Sequence, residues 1–160
     1  RGCNVVAARL LIAADGRVFD TFELLDAGTL AALDAEHMAA LESELRRVLA
    51  AKDLAPRITR RGVPRRLRHF QRTPQIGFSE TGNATQLALV CSDSPGLLAQ
   101  VAQAFRVARV RVHDARIATF GERVEDFFVL SDENDAMLDA SLQVSLRAIL
   151  LDHLGASPSP

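Results

Sequence analysis

The run Cys91-Ser92-Asp93-Ser94-Pro95-Gly96-Leu97-Leu98 holds the residue types in this chain best suited to gripping a small charged molecule. It ends a stretch with strand character, turns on Asp-x-Pro-Gly and opens an apolar-periodic stretch with helix character. Pro95 suits the first position of a helix, where its missing N–H would have no partner anyway. Ser94 stands where a cap is expected. Gly96 has no side chain, so a ligand can reach the unpaired N–H groups of the first turn, and such a turn attracts a carboxylate. The same residues also make an ordinary capped turn, so the motif takes its meaning from what surrounds it.

Other chemistries find less support. His113-Asp114 lies in an expected strand, without the further ligands that a metal site requires. The apolar phase slips there, from Val110 and Val112 to Ala115 and Ile117, which predicts a bulge. His37, His69 and His153 are isolated and lack ligand spacing to Cys3 or Cys91. There is no Gly-x-Ser-x-Gly elbow and no Gly-rich phosphate loop, so catalysis by these residues is not expected. Arg57, Arg60, Arg61, Arg65, Arg66, Arg68 and Arg72 form a basic cluster that could meet phosphates. The chain has no Trp or Tyr on which bases could stack. A solvated linker docking on an acidic surface is therefore the favoured reading, and nucleic acid is not an expected partner.

At 160 residues the chain fits one domain or two small ones. An apolar fraction of 48% and a charged fraction of 24% are ordinary for a soluble globular protein. A net charge of −1 gives no bulk attraction to nucleic acid or membrane. The apolar runs fall far short of a membrane span, and nothing resembles a signal peptide. Two well-separated cysteines fit reduced thiols better than a disulfide framework. A cytoplasmic location without membrane contact is expected. With Arg1 in place of an initiator Met, the chain is expected to be a piece of something longer.

The elements that must position the turn belong to a unit that occurs twice. Asn4-Val5-Val6-Ala7-Ala8-Arg9-Leu10 resembles Arg111-Val112-His113-Asp114-Ala115-Arg116-Ile117, and Arg17-Val18-Phe19-Asp20-Thr21-Phe22 resembles Arg123-Val124-Glu125-Asp126-Phe127-Phe128. Each copy runs on through an Asp-bearing loop into a helix. Met38, Leu41, Leu45, Val48 and Leu49 keep helical spacing after Asp34, and Leu138, Leu142, Leu146, Ile149 and Leu150 do so after Asp135. The second copy is preceded by two strands, 75–80 and 84–91, around Thr81-Gly82-Asn83, and by an amphipathic helix over 95–106. The order strand, strand, helix, strand, strand, helix predicts an α+β fold, a two-layer sandwich with helices on one face of an antiparallel sheet. Residues 75–80 are expected at the sheet edge that a terminal strand would otherwise fill. The first copy lacks its own first strands and helix, so it should bury its exposed apolar surface against the other copy or another chain. The expected organisation is a partial unit over 1–53, an Arg/Pro-rich linker over 54–74, a second unit over 75–154 and a tail over 155–160.

Together these residues resemble the ACT domain, a ferredoxin-like module that binds amino acids. The closer resemblance is to the C-terminal ACT pair of the bifunctional uridylyltransferase/uridylyl-removing enzymes. It rests on Pro64-Arg65-Arg66-Leu67-Arg68-His69-Phe70, on Asp93-Ser94-Pro95-Gly96-Leu97-Leu98-Ala99, and on Ala115-Arg116-Ile117-Ala118-Thr119-Phe120-Gly121-Glu122-Arg123-Val124-Glu125-Asp126-Phe127-Phe128. The resemblance implies a regulatory module that senses glutamine and controls the modification of the PII nitrogen-regulatory protein. It implies that UMP transfer with Mg²⁺ and its hydrolytic removal belong to catalytic domains outside this sequence, and that this piece needs no cofactor. The chain departs from the pattern in its truncated first unit and in Ser94, which stands where Arg or Gln is frequent.

The resemblance makes Asp93, Ser94, Gly96, Leu97, Leu98, Asn4 and Val5 the candidate ligand contacts. N–H groups near Gly96 and Leu97 would hold an amino acid's carboxylate, and Asp93 or strand carbonyls its ammonium. Asn4 sits where ACT domains often present an Asn to a neighbouring unit's loop. Asp93 could equally serve only the turn, and Asn4 only begin a strand. An unpaired strand edge over 4–10 predicts a homo-oligomer. The repeated Arg9/Asp20 and Arg116/Asp126 suggest buried ion pairs, since an Asp among apolar neighbours needs a partner.

Overall fold

Period-two alternation of apolar side chains becomes strand wherever one face can be buried. In the computed structural model, which describes residues 3–13, 15–51 and 73–155, it forms β1 (Cys3–Ile12), β2 (Val18–Asp26), β3 (Gln75–Thr81), β4 (Ala84–Ser92), β5 (Arg111–Phe120) and β6 (Arg123–Ser131). Helical spacing forms α1 (Ala35–Ala50), α2 (Leu97–Ala108) and α3 (Ala140–His153). The strands make one antiparallel sheet in the order β2-β1-β5-β6-β4-β3. The second copy therefore has the α+β, ferredoxin-like arrangement expected of it, with β3 at the edge beside β4. None of the described helices is long and apolar enough to cross a membrane.

The core lies between the sheet and α2 and α3. Leu87, Leu89, Ala115, Ile117, Val124, Phe128 and Leu130 meet Val101, Ala104, Phe105, Leu146 and Leu150. Phe105 and Phe128 pack edge to face at 5.0 Å. Asp34 caps α1 by accepting from the His37 N–H, and Asp139 caps α3 by accepting from the Leu142 N–H. Asp135, from which the second helix was read, lies before α3 with a φ of 60°.

The first copy does not form a sandwich of its own. Residues 7–11 of β1 pair with β5, so its hairpin extends the second copy's sheet. This corrects the expectation of an open edge over 4–10. Of β1, residues 3–6 and Ile12 lack a partner on β5, and the hairpin's open edge is β2. Among the described residues no element equivalent to α2 covers the hairpin: Ile12, Val18 and Phe22 are exposed, as are Met38, Leu45 and Leu49 on α1. The Arg-rich cluster and the end of the tail lie outside the described residues.

The bulge expected near His113 is present, as a register shift between Val112 and Asp114. His113 is the extra residue, and its Nε2 lies 2.7 Å from the Ser131 hydroxyl. Past the bulge, Ala115 and Ile117 point into the core, while Asp114 and Arg116 point to the opposite face.

Candidate functional site

The 93–99 turn hangs from the end of β4. The Asp93 N–H donates to the Glu122 carbonyl at 2.9 Å, tying the turn to the β5–β6 hairpin. The Leu97 N–H donates to the Ser94 carbonyl at 3.0 Å. Gly96 has φ 83° and ψ 10°. This is a type II turn, with Pro95 and Gly96 at its two central positions. It corrects the expected cap. Gly96, not Ser94, is the N-cap residue, α2 starts at Leu97, and Pro95 precedes the helix. The turn requires a positive φ at its third residue, which Gly supplies without steric cost. Ser94 contributes its carbonyl where a hydroxyl was expected. Among the described residues, the Leu98 and Ala99 N–H groups have no backbone acceptor, while the Gln100 N–H already bonds to the Gly96 carbonyl. Two donors thus point out of the first turn of α2, where the helix dipole favours negative charge.

The other side of the turn favours a cation. Asp93 is an exposed residue, yet neighbouring atoms shield its carboxyl on one side, and that desolvation raises its pKa against the opposing Ser94 N–H. Asp126 lies behind it with no exposed surface. Its carboxyl is pushed up to about 7, first by burial and further by Asp93, while the Ala118 N–H opposes the shift. That N–H reaches Asp126 Oδ1 at 3.4 Å, and Asp126 Oδ2 is buried with no hydrogen-bond partner. Burial, then Asp126 and Asp93, push the Cys91 thiol up to about 12. Three acidic groups here resist ionising together, so a positive charge would relieve them.

Sequence reasoning found Asp93 but missed Cys91 and Asp126 as its neighbours. The signal was the strand register: Asp126 pairs with Leu89 and Val124 with Cys91, all on the buried face. The proposed Arg–Asp pairs are also corrected. Arg116 lies opposite Phe127 on β6 and so faces away from Asp126. Arg9 and Asp20 likewise belong to opposite faces, because Asp20 lies across from Leu10. In a strand, residues an odd number apart point to opposite sides.

Asp93, Ser94, Gly96, Leu97 and Leu98 come together, with Leu97 buried and Leu98 half-buried. Asn4 and Val5 do not join them. They sit at the same end of the sheet, but β5 and β6 intervene. Three strand spacings of about 4.8 Å separate β1 from β4 by about 14 Å. Within one chain Asn4 cannot touch a small molecule held on the turn. Among the described residues, no group of three or more His, Cys, Asp or Glu could hold a metal ion.

Over 152 residues, 94% of its length, the chain is 47% identical to a protein of Xanthomonas axonopodis pv. citri (strain 306) named bifunctional uridylyltransferase/uridylyl-removing enzyme. A protein of the same name from Psychrobacter cryohalolentis is 36% identical over 154 residues, again 94% of the chain. In both cases the chain spans about 17% of the relative's length. The chain is thus homologous to one region of enzymes of that name. No family model matches it, and no solved structure does.

Proposed function

We propose that this chain is the regulatory, amino-acid-sensing ACT region of a uridylyltransferase/uridylyl-removing enzyme that modifies the PII protein, and that its ligand is glutamine. The homology over 94% of the chain carries the assignment to the enzyme. The type II turn carries the assignment to sensing. Its unpaired Leu98 and Ala99 N–H groups suit a carboxylate, and the Asp93 carboxyl beside Asp126 suits an ammonium. In this reading the chain works in the cytoplasm, and Mg²⁺ serves the catalytic part of the enzyme. Residues 3–6, unpaired on the β5 side, and the open β2 edge favour association with a further copy, which would bring a second Asn4 to the turn.

The test is calorimetric titration of the full-length protein with L-glutamine. Saturable binding is expected, weakened about tenfold or more in Asp93→Asn, since a hydrogen bond to a charged group is worth about 1.5–3 kcal/mol. Full-length protein that binds no glutamine would overturn the sensor reading, and unchanged affinity in Asp93→Asn would overturn the placement.

A further inference from the structure

Asp126 is a carboxyl where the pattern of β6 calls for an apolar residue. Val124 and Phe128 flank it on the inner face and are buried, and Asp126 itself has no exposed surface. Its Oδ2 has no hydrogen-bond partner, and its Oδ1 has the Ala118 N–H at 3.4 Å. An ionised carboxyl so placed is costly, and a proton removes most of that cost. The buried residues of α2 and α3 are all apolar, as are Ala115 and Ile117 of β5 and Leu89 of β4. Among the described residues, the titratable groups that face Asp126 are both acidic: Cys91, one diagonal step away on β4, and Asp93 at the end of that strand. Leu89 and Cys91 alternate onto the inner face, and the Asp93 N–H continues the register by bonding to the Glu122 carbonyl. The buried carboxyl is thus linked to the turn through Cys91.

We propose that Asp126 is a proton-coupled positioning residue of the turn: a cation held on Asp93 drives the proton off Asp126 into solvent, so the site grips its ligand more tightly as pH rises through neutrality. This rests on the reading of the 93–99 turn as the glutamine site and adds a regulating proton to it. With its proton, Asp126 is neutral and Asp93 alone attracts the ammonium. Without the proton, a second negative charge lies behind the first. The Cys91 thiol, pushed up to about 12, keeps its own proton throughout. An ammonium on Asp93 acts on Asp126 through protein, where screening is weaker than in water. The coupling is reciprocal, so the factor by which the ligand favours proton loss is the factor by which proton loss favours the ligand. Burial pushes the ligand-free carboxyl up to about 7, which places the change between about pH 6 and pH 8.

The test is calorimetric titration of the full-length protein with L-glutamine at pH 6, 7 and 8, each in two buffers of different ionisation enthalpy, which reads the protons released per ligand bound. Affinity should rise about twofold to fivefold from pH 6 to pH 8, with about 0.3–0.4 of a proton released at pH 7. Asp126→Asn should abolish both the rise and the release. Asp126→Leu, an apolar residue among apolar neighbours, gives the same answer should Asp126→Asn fail to fold. Binding that is independent of pH and releases no proton would overturn this inference and leave the glutamine reading standing. No binding at any of the three pH values would overturn both. Proton release that persists in Asp126→Asn would place the proton on another group and overturn the role of Asp126.

Discussion

Replacing Asp126 by Asn should change how stability depends on pH, more than stability itself. The carboxyl is pushed up from the usual 3.8 to about 7, chiefly by burial. Above about pH 4 the unfolded chain has released this proton, whereas the native protein keeps it until about pH 7. The native state then binds more protons, so stability falls as pH rises across that window and stays reduced above it. At 1.36 kcal/mol per pH decade the whole interval is worth about 4 kcal/mol, of which about 2–3 kcal/mol falls between pH 5 and pH 8. Asn is neutral throughout and keeps an oxygen for the Ala118 N–H. Its amide adds a buried donor at a cost that does not vary with pH. Asp26, Asp34 and Asp132 are held low by backbone hydrogen bonds, so their contributions are present above about pH 4 and lost below it, outside this window. Asp20 and Asp93, raised by burial, act in the same direction as Asp126 but are common to both proteins. The chain has no Trp or Tyr, so urea unfolding is followed by far-UV circular dichroism at pH 5 and pH 8. The stability of Asp126→Asn relative to the parent should rise by about 2–3 kcal/mol over that interval. A difference constant to within about 0.5 kcal/mol would refute the account of a desolvated carboxyl behind the turn.

Gly96→Val should destabilise the protein by on the order of 2 kcal/mol, because a β-branched residue is strained at a φ of 83°; a melting temperature equal to the parent's would show that the turn relaxes to another type. Leu146→Ala should cost about 2–5 kcal/mol by opening a cavity in the core, whereas Leu45→Ala, on the exposed stripe of α1, should cost less than about 0.5 kcal/mol; similar urea midpoints for the two variants would mean that α1 is covered in solution.

What the residues made legible was mostly local. Alternation located all six described strands, the apolar slip at His113 located the bulge, and Asp34 marked the start of α1. The Asp-x-Pro-Gly turn was legible as a place, but its chemistry was misread. A helix beginning at Pro95 and a type II turn ending at Leu97 require the same residue types, and only the φ of Gly96 separates them. The Arg–Asp pairs failed for a different reason. Adjacency of strands was read without the register, and one residue of register decides which face a side chain occupies. That two strands separate Asn4 from the turn within one chain was not legible, because the order of strands across two copies is a long-range property that no local pattern encodes.

The two copies separate what a sequence pattern specifies from what packing adds. Val18, Asp20 and Phe22 alternate as Val124, Asp126 and Phe128 do, and both sets lie on the same side of one sheet. Yet Phe128 is 5% exposed and Phe22 is 48% exposed. Burial raises both carboxyls, but only that of Asp126, under α2 and α3, reaches about 7. The pattern therefore fixes which residues face the helices, and the presence of the covering helix sets their desolvation. It follows that the acidic cluster behind the Asp93 turn is a property of α2 as much as of Asp126. A variant that loosens α2, such as Val101→Ala at a fully buried position, admits water to the Asp126 carboxyl and lowers its pKa toward the ordinary carboxylate range. That change leaves Asp126 more fully ionised at neutral pH and so alters the charge behind the turn without altering any residue that touches a ligand there.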